Sequence, residues 1–509
     1  MTVFKKKTEL AKGVFWPSYL IGIAVIVLGI ANQKLFGSIL DAGLNWVSDN
    51  FGWWLVLFAL ILVLLVFGLA FSKAGDVVIG GAGAKPEYTM WPWFSMSLKG
   101  GIGTGILFWA MGEPIFHMAA PPAAAGAQPF TREAGLFAIS QTMLHWTIAQ
   151  YAMYSLCAVG VALMAYNRRR TISVSSIFEP YLSSSVYGVV KTVVPMVSLF
   201  CIVGALACSM AVGLMQINSG LNFFFGLPID GVTVFAIAAI MVTVYVVSCL
   251  TGIKKGMRVL SSFCTIVFIG LMVYVLCLGP TRFIVDAGTE SLGVFFNRFF
   301  EHSVILPTMA ENETWSKSWI IMFMASFFVY APIIGLFLAR LGKGRTVREF
   351  IFMNIGAPTL FCIVWIAIWG GTTVWLQYTG IMDVWQSVNE KGLEVTIFTI
   401  LSTLPFAKIL AAFFIIAVFF SFSTMADSIT GTMATLSTKN LSVEAPRWLK
   451  IIWGVSFGVI GYLLVATGGV DSVRGMFTIV GLPISFIVLA YAYCVIRECG
   501  RIAAETLRH

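Results

Sequence analysis

The sequence predicts an all-α integral membrane protein with 12 transmembrane helices, and three observations carry that prediction. Hydrophobic residues make up 59% of the 509, charged residues only 11%, and mean hydropathy is +0.91, whereas a soluble domain is about one-quarter charged. The apolar residues fall into long separate runs, which excludes a disordered chain, a disulfide scaffold and an ordinary cytosolic enzyme. The basic residues are spread unevenly over the connections, as in polytopic membrane proteins.

A hydrocarbon core of about 30 Å takes roughly 20 helical residues. Runs long enough lie near 14–32, 52–72, 91–111, 135–166, 187–216, 232–252, 259–280, 318–341, 351–377, 398–436, 451–469 and 476–497. Lys5, Lys6, Lys7 and Lys12 precede the first run, which is too long for a cleavable leader and has no small-residue cleavage site, so no leader is expected. Residues 1–90 hold a basic start and the first two spans, and 91–280 hold spans three to seven. Between 281 and 317, Leu292, Val294, Phe295, Phe296, Phe299 and Phe300 mix with Glu290 and Arg298. That pattern suits a helix lying along the membrane interface, or a loop-capping helix. Spans eight to twelve occupy 318–497, and 498–509 form a short tail. The fourth, fifth and tenth runs exceed a simple span, which predicts tilt or an interfacial extension.

With the N-terminus on the cytoplasmic side, 23 basic residues fall on that side and eight on the other, with Lys99 left within a span. The bias predicts both termini cytoplasmic. The net charge of +9 is not gathered into a basic stripe, so no nucleic-acid partner is expected. Nine cysteines lie in or beside apolar segments with no CxxC spacing, and the four histidines are too scattered to hold haem pairs. Neither a cofactor nor a metal cluster is expected from them.

Two features break the rules for membrane spans. Gly100-Gly101-Ile102-Gly103-Thr104-Gly105 places four glycines in six residues of the third span, each costing about 1 kcal/mol against alanine in a helix. An unwound segment is expected, of the kind that lines transporter binding sites. A small-residue packing face would use the same glycines. The second feature is the set of ionisable groups at depth: Lys99, Glu113 and Asp427. A charge near mid-bilayer costs at least about 2.5–3.5 kcal/mol, which makes each a functional candidate. Glu113, before Pro114, could instead lie at the interface, and Asp427 could be a structural hydrogen-bond partner.

His145-Trp146 is followed by Tyr151 and Tyr154. Eight residues turn a helix about 80° past two full turns, so Trp146 and Tyr154 share a face with Tyr151 about 60° from Tyr154. Such a strip can hold quaternary ammonium by cation–π attraction of about 2 kcal/mol or more when desolvated. In a chain that is 14% aromatic, core packing uses the same residues.

The run Ser326-Phe327-Phe328-Val329-Tyr330-Ala331-Pro332 through Arg340-Leu341-Gly342-Lys343-Gly344-Arg345-Thr346-Val347-Arg348-Glu349-Phe350 resembles the signature of the betaine/carnitine/choline transporters. So do Gly101-Ile102-Gly103-Thr104-Gly105, Glu113-Pro114, His145-Trp146, Gly252-Ile253-Lys254-Lys255-Gly256 and Ala426-Asp427-Ser428. The resemblance implies inverted five-helix repeats of the sodium-symporter (LeuT) type, helices 3–7 and 8–12, with two extra N-terminal helices. It also implies a homotrimer in a bacterial inner membrane and no enzyme activity.

Carried over, its substrate box falls on Trp146, Tyr151, Tyr154 and Phe327, with Tyr330 one turn on, against Gly103, Thr104 and Gly105. The family usually has tryptophan at positions 151 and 327, so a differently methylated or sulfonium compound becomes more plausible beside carnitine, glycine betaine and choline.

The coupling-ion site of sodium-dependent relatives falls on Lys99, Thr424 and Met425. Met425 replaces a serine and removes a hard oxygen ligand. The expectation is that the Lys99 amine stands in for sodium, giving exchange or proton-coupled transport. The alternative is a sodium-coupled symporter of betaine or amino acids on the same scaffold. A membrane enzyme would need a nucleophile–base pair or metal cluster at depth, and the sequence offers none.

Overall fold

The computed structural model describes residues 9–101, 104–252, 254–308, 314–439 and 444–506, with side chains at 99–101, 104, 254–258 and 506 outside the description. The described chain is helical, with only isolated bridges joining Leu10 to Thr438 and Val78 to Thr346.

Helix α1 (Lys12–Ala31) turns at Asn32 into α2 (Gln33–Phe71). The Asn32 side chain accepts from the Leu35 amide at 3.0 Å, satisfying a first-turn donor. At 39 residues α2 is about 58 Å long, so the helix of the second span, expected to begin near 52, starts already at Gln33.

Next come α3 (Met90–Gly101), α4 (Thr104–Ala119), α5 (Arg132–His145) and α6 (Ile148–Ala162). Helices α7 (Ser184–Phe225), α8 (Gly231–Thr251) and α9 (Lys254–Leu278) complete the first half. The connection then forms α10 (Thr281–Asn297) and α11 (Phe299–His302). The second half holds α12 (Met322–Ala339), α13 (Val347–Tyr378), α14 (Val384–Lys391), α15 (Thr396–Ser402), α16 (Ala407–Leu436), α17 (Arg447–Gly468) and α18 (Val470–Thr506). Thr346 and Glu349 form a reciprocal capping box that opens α13 where the basic loop ends.

Among the described residues, 11 helices are long and apolar enough to cross a membrane, against the 12 spans expected. The difference is the third span. It falls on α3 and α4, of 12 and 16 residues, on either side of 102–103. The expected unwinding there lies outside the described residues. The tenth run, 398–436, divides into α15 and α16 at Thr403–Phe406, where Pro405 precedes Phe406 with φ of 59°. Proline interrupts the hydrogen-bond ladder and biases its predecessor away from helix.

The site is placed by α12, which packs against α6 and α18. A Cβ at Gly335 would lie 2.6 Å from the Cys157 Cβ, so only glycine lets these helices come so close.

Candidate functional site

A cavity of about 480 Å³ lies among α4, α6, α7, α9, α12, α13 and α16. One end is walled by rings. The Trp146 ring centroid stands 5.2 Å from Phe323 and 5.8 Å from Phe327, both edge-on, and Phe323 stacks on Phe327 at 6.0 Å. Tyr154 and Tyr330 continue the lining. The Tyr330 hydroxyl donates to the Ala205 carbonyl at 2.8 Å and lies 2.7 Å from the Ser209 hydroxyl. From there the cavity runs down α12 to Phe337 and Arg340, both exposed, on the face that carries Lys343 and Arg345.

Among the described residues its lining holds no Asp or Glu, and Arg340 at the mouth is the one charged side chain there. A cation held there meets π faces instead of a carboxylate, an arrangement suited to a diffuse onium charge or a zwitterion.

Trp146 sits at an unexpected break. The fourth span is interrupted at Trp146–Thr147, with Thr147 at φ −124°, ψ −116°. Neither glycine nor proline marks the site, so composition gave no warning. The Thr147 hydroxyl donates to the Met143 carbonyl at 2.6 Å and helps to complete the interrupted ladder. On the facing helix, a Cβ at Gly105 would lie 2.8 Å from the indole. Glycine there admits the ring.

The expected residues divide into several groups. Trp146, Tyr154, Phe327, Tyr330, Gly105, Thr424 and Met425 all line the cavity. Tyr151 is not among the residues that line it: its hydroxyl meets Cys362 Sγ of α13 at 3.3 Å. The physical reason is that its helical position aims the phenol at α13, leaving Tyr154 on the cavity face. Asp427 also stands outside and accepts from the Ser248 hydroxyl at 2.8 Å. The Thr424 hydroxyl donates to Ser421 O of its own helix at 2.8 Å. Gly103 and the side chains of Lys99 and Thr104 lie outside the described residues.

Phe323, Trp109, Ser326 and Gln150 also line the cavity and were not anticipated. Phe323 is one turn before Phe327, which helical spacing made readable.

Glu113 lies behind the wall and is fully buried. Its Oε2 accepts from the Trp146 indole at 3.0 Å, and its Oε1 from His117 Nε2 at 2.9 Å and from His145 Nδ1. Trp315 Nε1 in turn donates to His117 Nδ1 at 3.0 Å. The three ligand-type residues lie within 4.8 Å of one another, close enough to suggest a metal. The Trp315 bond argues otherwise. It needs a lone pair on His117 Nδ1, so Nε2 carries the proton that faces Glu113 and has no lone pair for an ion.

Sequence comparison agrees with the geometry. The family model described as the betaine/carnitine/choline family transporter matches residues 13–503. A probable glycine betaine transporter of Desulfitobacterium hafniense is 26% identical over 95% of this chain and 96% of its own. An ectoine/hydroxyectoine transporter of Virgibacillus pantothenticus is 27% identical over 95% of each. The osmo-dependent choline transporter BetT2 of Acinetobacter baylyi is 28% identical over 95% of this chain and 70% of its own. The chain is a multi-pass membrane transporter, not an enzyme, and it belongs to the betaine/carnitine/choline transporter family.

Proposed function

We propose that the chain carries a betaine-type onium compound by alternating access, with the methylated head held among Trp146, Tyr154, Phe323 and Phe327. The observation that supports this most is a cavity walled by aromatic rings and free of acidic side chains among the described residues. The names of the relatives, glycine betaine, choline and ectoine transporters, point to the same solute class. A substrate carboxylate would meet backbone amides at the start of α4, in keeping with anion binding at helix N-termini.

The scaffold we infer is a pair of inverted five-helix repeats in a homotrimer, both termini facing the cytoplasm of a bacterial inner membrane. Coupling is by exchange or by protons, with Lys99 taking the place of sodium near Thr424 and Met425. The replacement of a hydroxyl by the Met425 thioether supports that reading.

The test is a thermal-shift screen of the purified chain with carnitine, butyrobetaine, choline, glycine betaine, ectoine and dimethylsulfoniopropionate, repeated on Trp146→Leu. A selective binder whose shift vanishes in the variant is the expected result. No binder, or one indifferent to the substitution, removes the box. Uptake of the binder into proteoliposomes is expected without a sodium gradient, and strict sodium dependence returns the sodium-symport reading.

A further inference from the structure

The network behind Trp146 carries more than an anchor. Its proton positions follow from its partners. Trp315 donates to His117 Nδ1, which leaves the His117 proton on Nε2, facing Glu113. Gln141 Nε2 lies 3.0 Å from His145 Nε2, so His145 keeps its proton on Nδ1, also facing Glu113. Glu113 therefore takes three donors, two from imidazoles and one from the indole that walls the cavity.

The same network has an unused acceptor. Gln141 is fully buried, and its Oε1 has no hydrogen-bond partner among the described residues. The bonds of its amide nitrogen are the one to His145 and a 3.4 Å contact with the His302 carbonyl. Half a turn of that amide sets Oε1 against His145 Nε2, which then needs a proton to donate. The same side chains thus admit a second hydrogen-bonded arrangement, one proton apart from the first.

We propose that Glu113, His145 and Gln141 form a proton-accepting site in which His145 Nε2 takes up a proton from hydronium, releasing water, while Gln141 turns its Oε1 to accept from the new N–H, and that this state reaches the substrate through the Trp146 indole. The charge on Glu113 and the two imidazoles goes from −1 to zero. The imidazolium so formed draws on the carboxylate that holds the Trp146 N–H and loosens the ring wall. The link to substrate rests on the transport reading above; the proton site does not.

Other groups face the site. Arg474 of α18 acts on both Glu113 and His117 and lies 4.7 Å over the Trp319 ring. His302 of α11 acts on His145, and the segment against Gly112 carries Glu394 beside Leu393. On the helix that carries Glu113, Gln216 of α7 and Thr373 of α13 donate to the Leu107 and Met111 carbonyls.

With only four histidines in the chain, nitrogen NMR of the full chain, histidine-labelled with ¹⁵N in lipid vesicles, reads each tautomer directly. In alkaline buffer the expected spectrum has His117 protonated on Nε2 and His145 on Nδ1; after acidification His145 carries both protons and His117 is unchanged. Gln141→Leu, which removes the acceptor, is expected to keep His145 neutral across that range. An unaltered His117 signal in the same spectrum certifies that the variant is folded. His145 staying neutral in the unaltered protein, or titrating equally in Gln141→Leu, overturns the site.

The coupling arm is uptake of glycine betaine into proteoliposomes under an imposed pH gradient. The gradient is expected to raise uptake severalfold, and Gln141→Leu to abolish the increase while glycine betaine binding persists. Uptake indifferent to both overturns the coupling. Failure to bind any onium compound overturns the proposed function instead, and the histidine spectra still decide the proton site.

Discussion

Gly105 lies against the face of Trp146: a Cβ at position 105 would come within 2.8 Å of the indole Cη2 and 3.2 Å of Cζ3. Gly105→Ala is therefore expected to push the ring out of the wall and weaken glycine betaine binding at least about tenfold, near 1.4 kcal/mol, by calorimetry. Gly213→Ala on α7 is the control, since its added Cβ would meet nothing closer than 3.7 Å. Equal effects from both would show that position 105 has no special demand.

Trp146→Phe keeps an aromatic face and removes the N–H that Glu113 accepts. A buried carboxylate short of one donor costs about 1–3 kcal/mol. A lower unfolding temperature in detergent is expected, and an unchanged one would mean that water replaces the bond.

Tyr151 and Tyr154 are three residues apart, with ring centroids at 6.1 Å, yet they differ in role. Tyr154→Leu is expected to weaken onium binding several-fold. Tyr151→Phe, which loses only the contact with Cys362, leaves it within about twofold. The reverse order in a binding isotherm would return Tyr151 to the substrate box.

Glu498 is 1% exposed and is held by Arg168 and by the Tyr181 hydroxyl at 2.9 Å. Arg168→Ala strands that carboxylate and is expected to cost about 2 kcal/mol, below the usual figure for a fully buried pair because Arg168 is partly exposed. Glu505→Ala, removing the exposed partner, changes stability by less than about 1 kcal/mol. Thermal unfolding of the two variants separates these outcomes.

Burial pushes the Glu394 carboxyl up from 4.5 to about 7. A raised acid binds its proton more tightly in the folded chain, so stability falls as pH rises from about 4.5 through about 7. Glu394→Gln is expected to flatten that part of the profile and to be the more stable protein above pH of about 7, read from unfolding temperature against pH.

Hydropathy placed 11 of the 12 expected runs on long apolar helices of the described residues, because each demands a run of apolar residues that few other structures need. The aromatic strip of α6 was legible as a face, but periodicity does not say which neighbour a face meets. For that reason Tyr154 lines the cavity while Tyr151 turns to Cys362. Glu113 stood out as a charge at depth, and His117 four residues on was readable as its helical neighbour. His145 and Trp146, more than 30 positions away, became its partners only through tertiary packing. The break at Trp146–Thr147 had no glycine or proline to announce it, and that break sets the indole between the carboxylate and the cavity.

Among the described residues the cavity has a mouth past the exposed Phe337 and Arg340, while its other end is stopped by Trp109, Trp146, Trp319 and Phe323, with the Arg474 guanidinium over two of those indoles. A solute leaving by the mouth has to part no such laminate. One leaving by the far end has to prise apart interlocked indoles and a benzyl group and lift a cation off them, so the two halves of a transport cycle face unequal barriers.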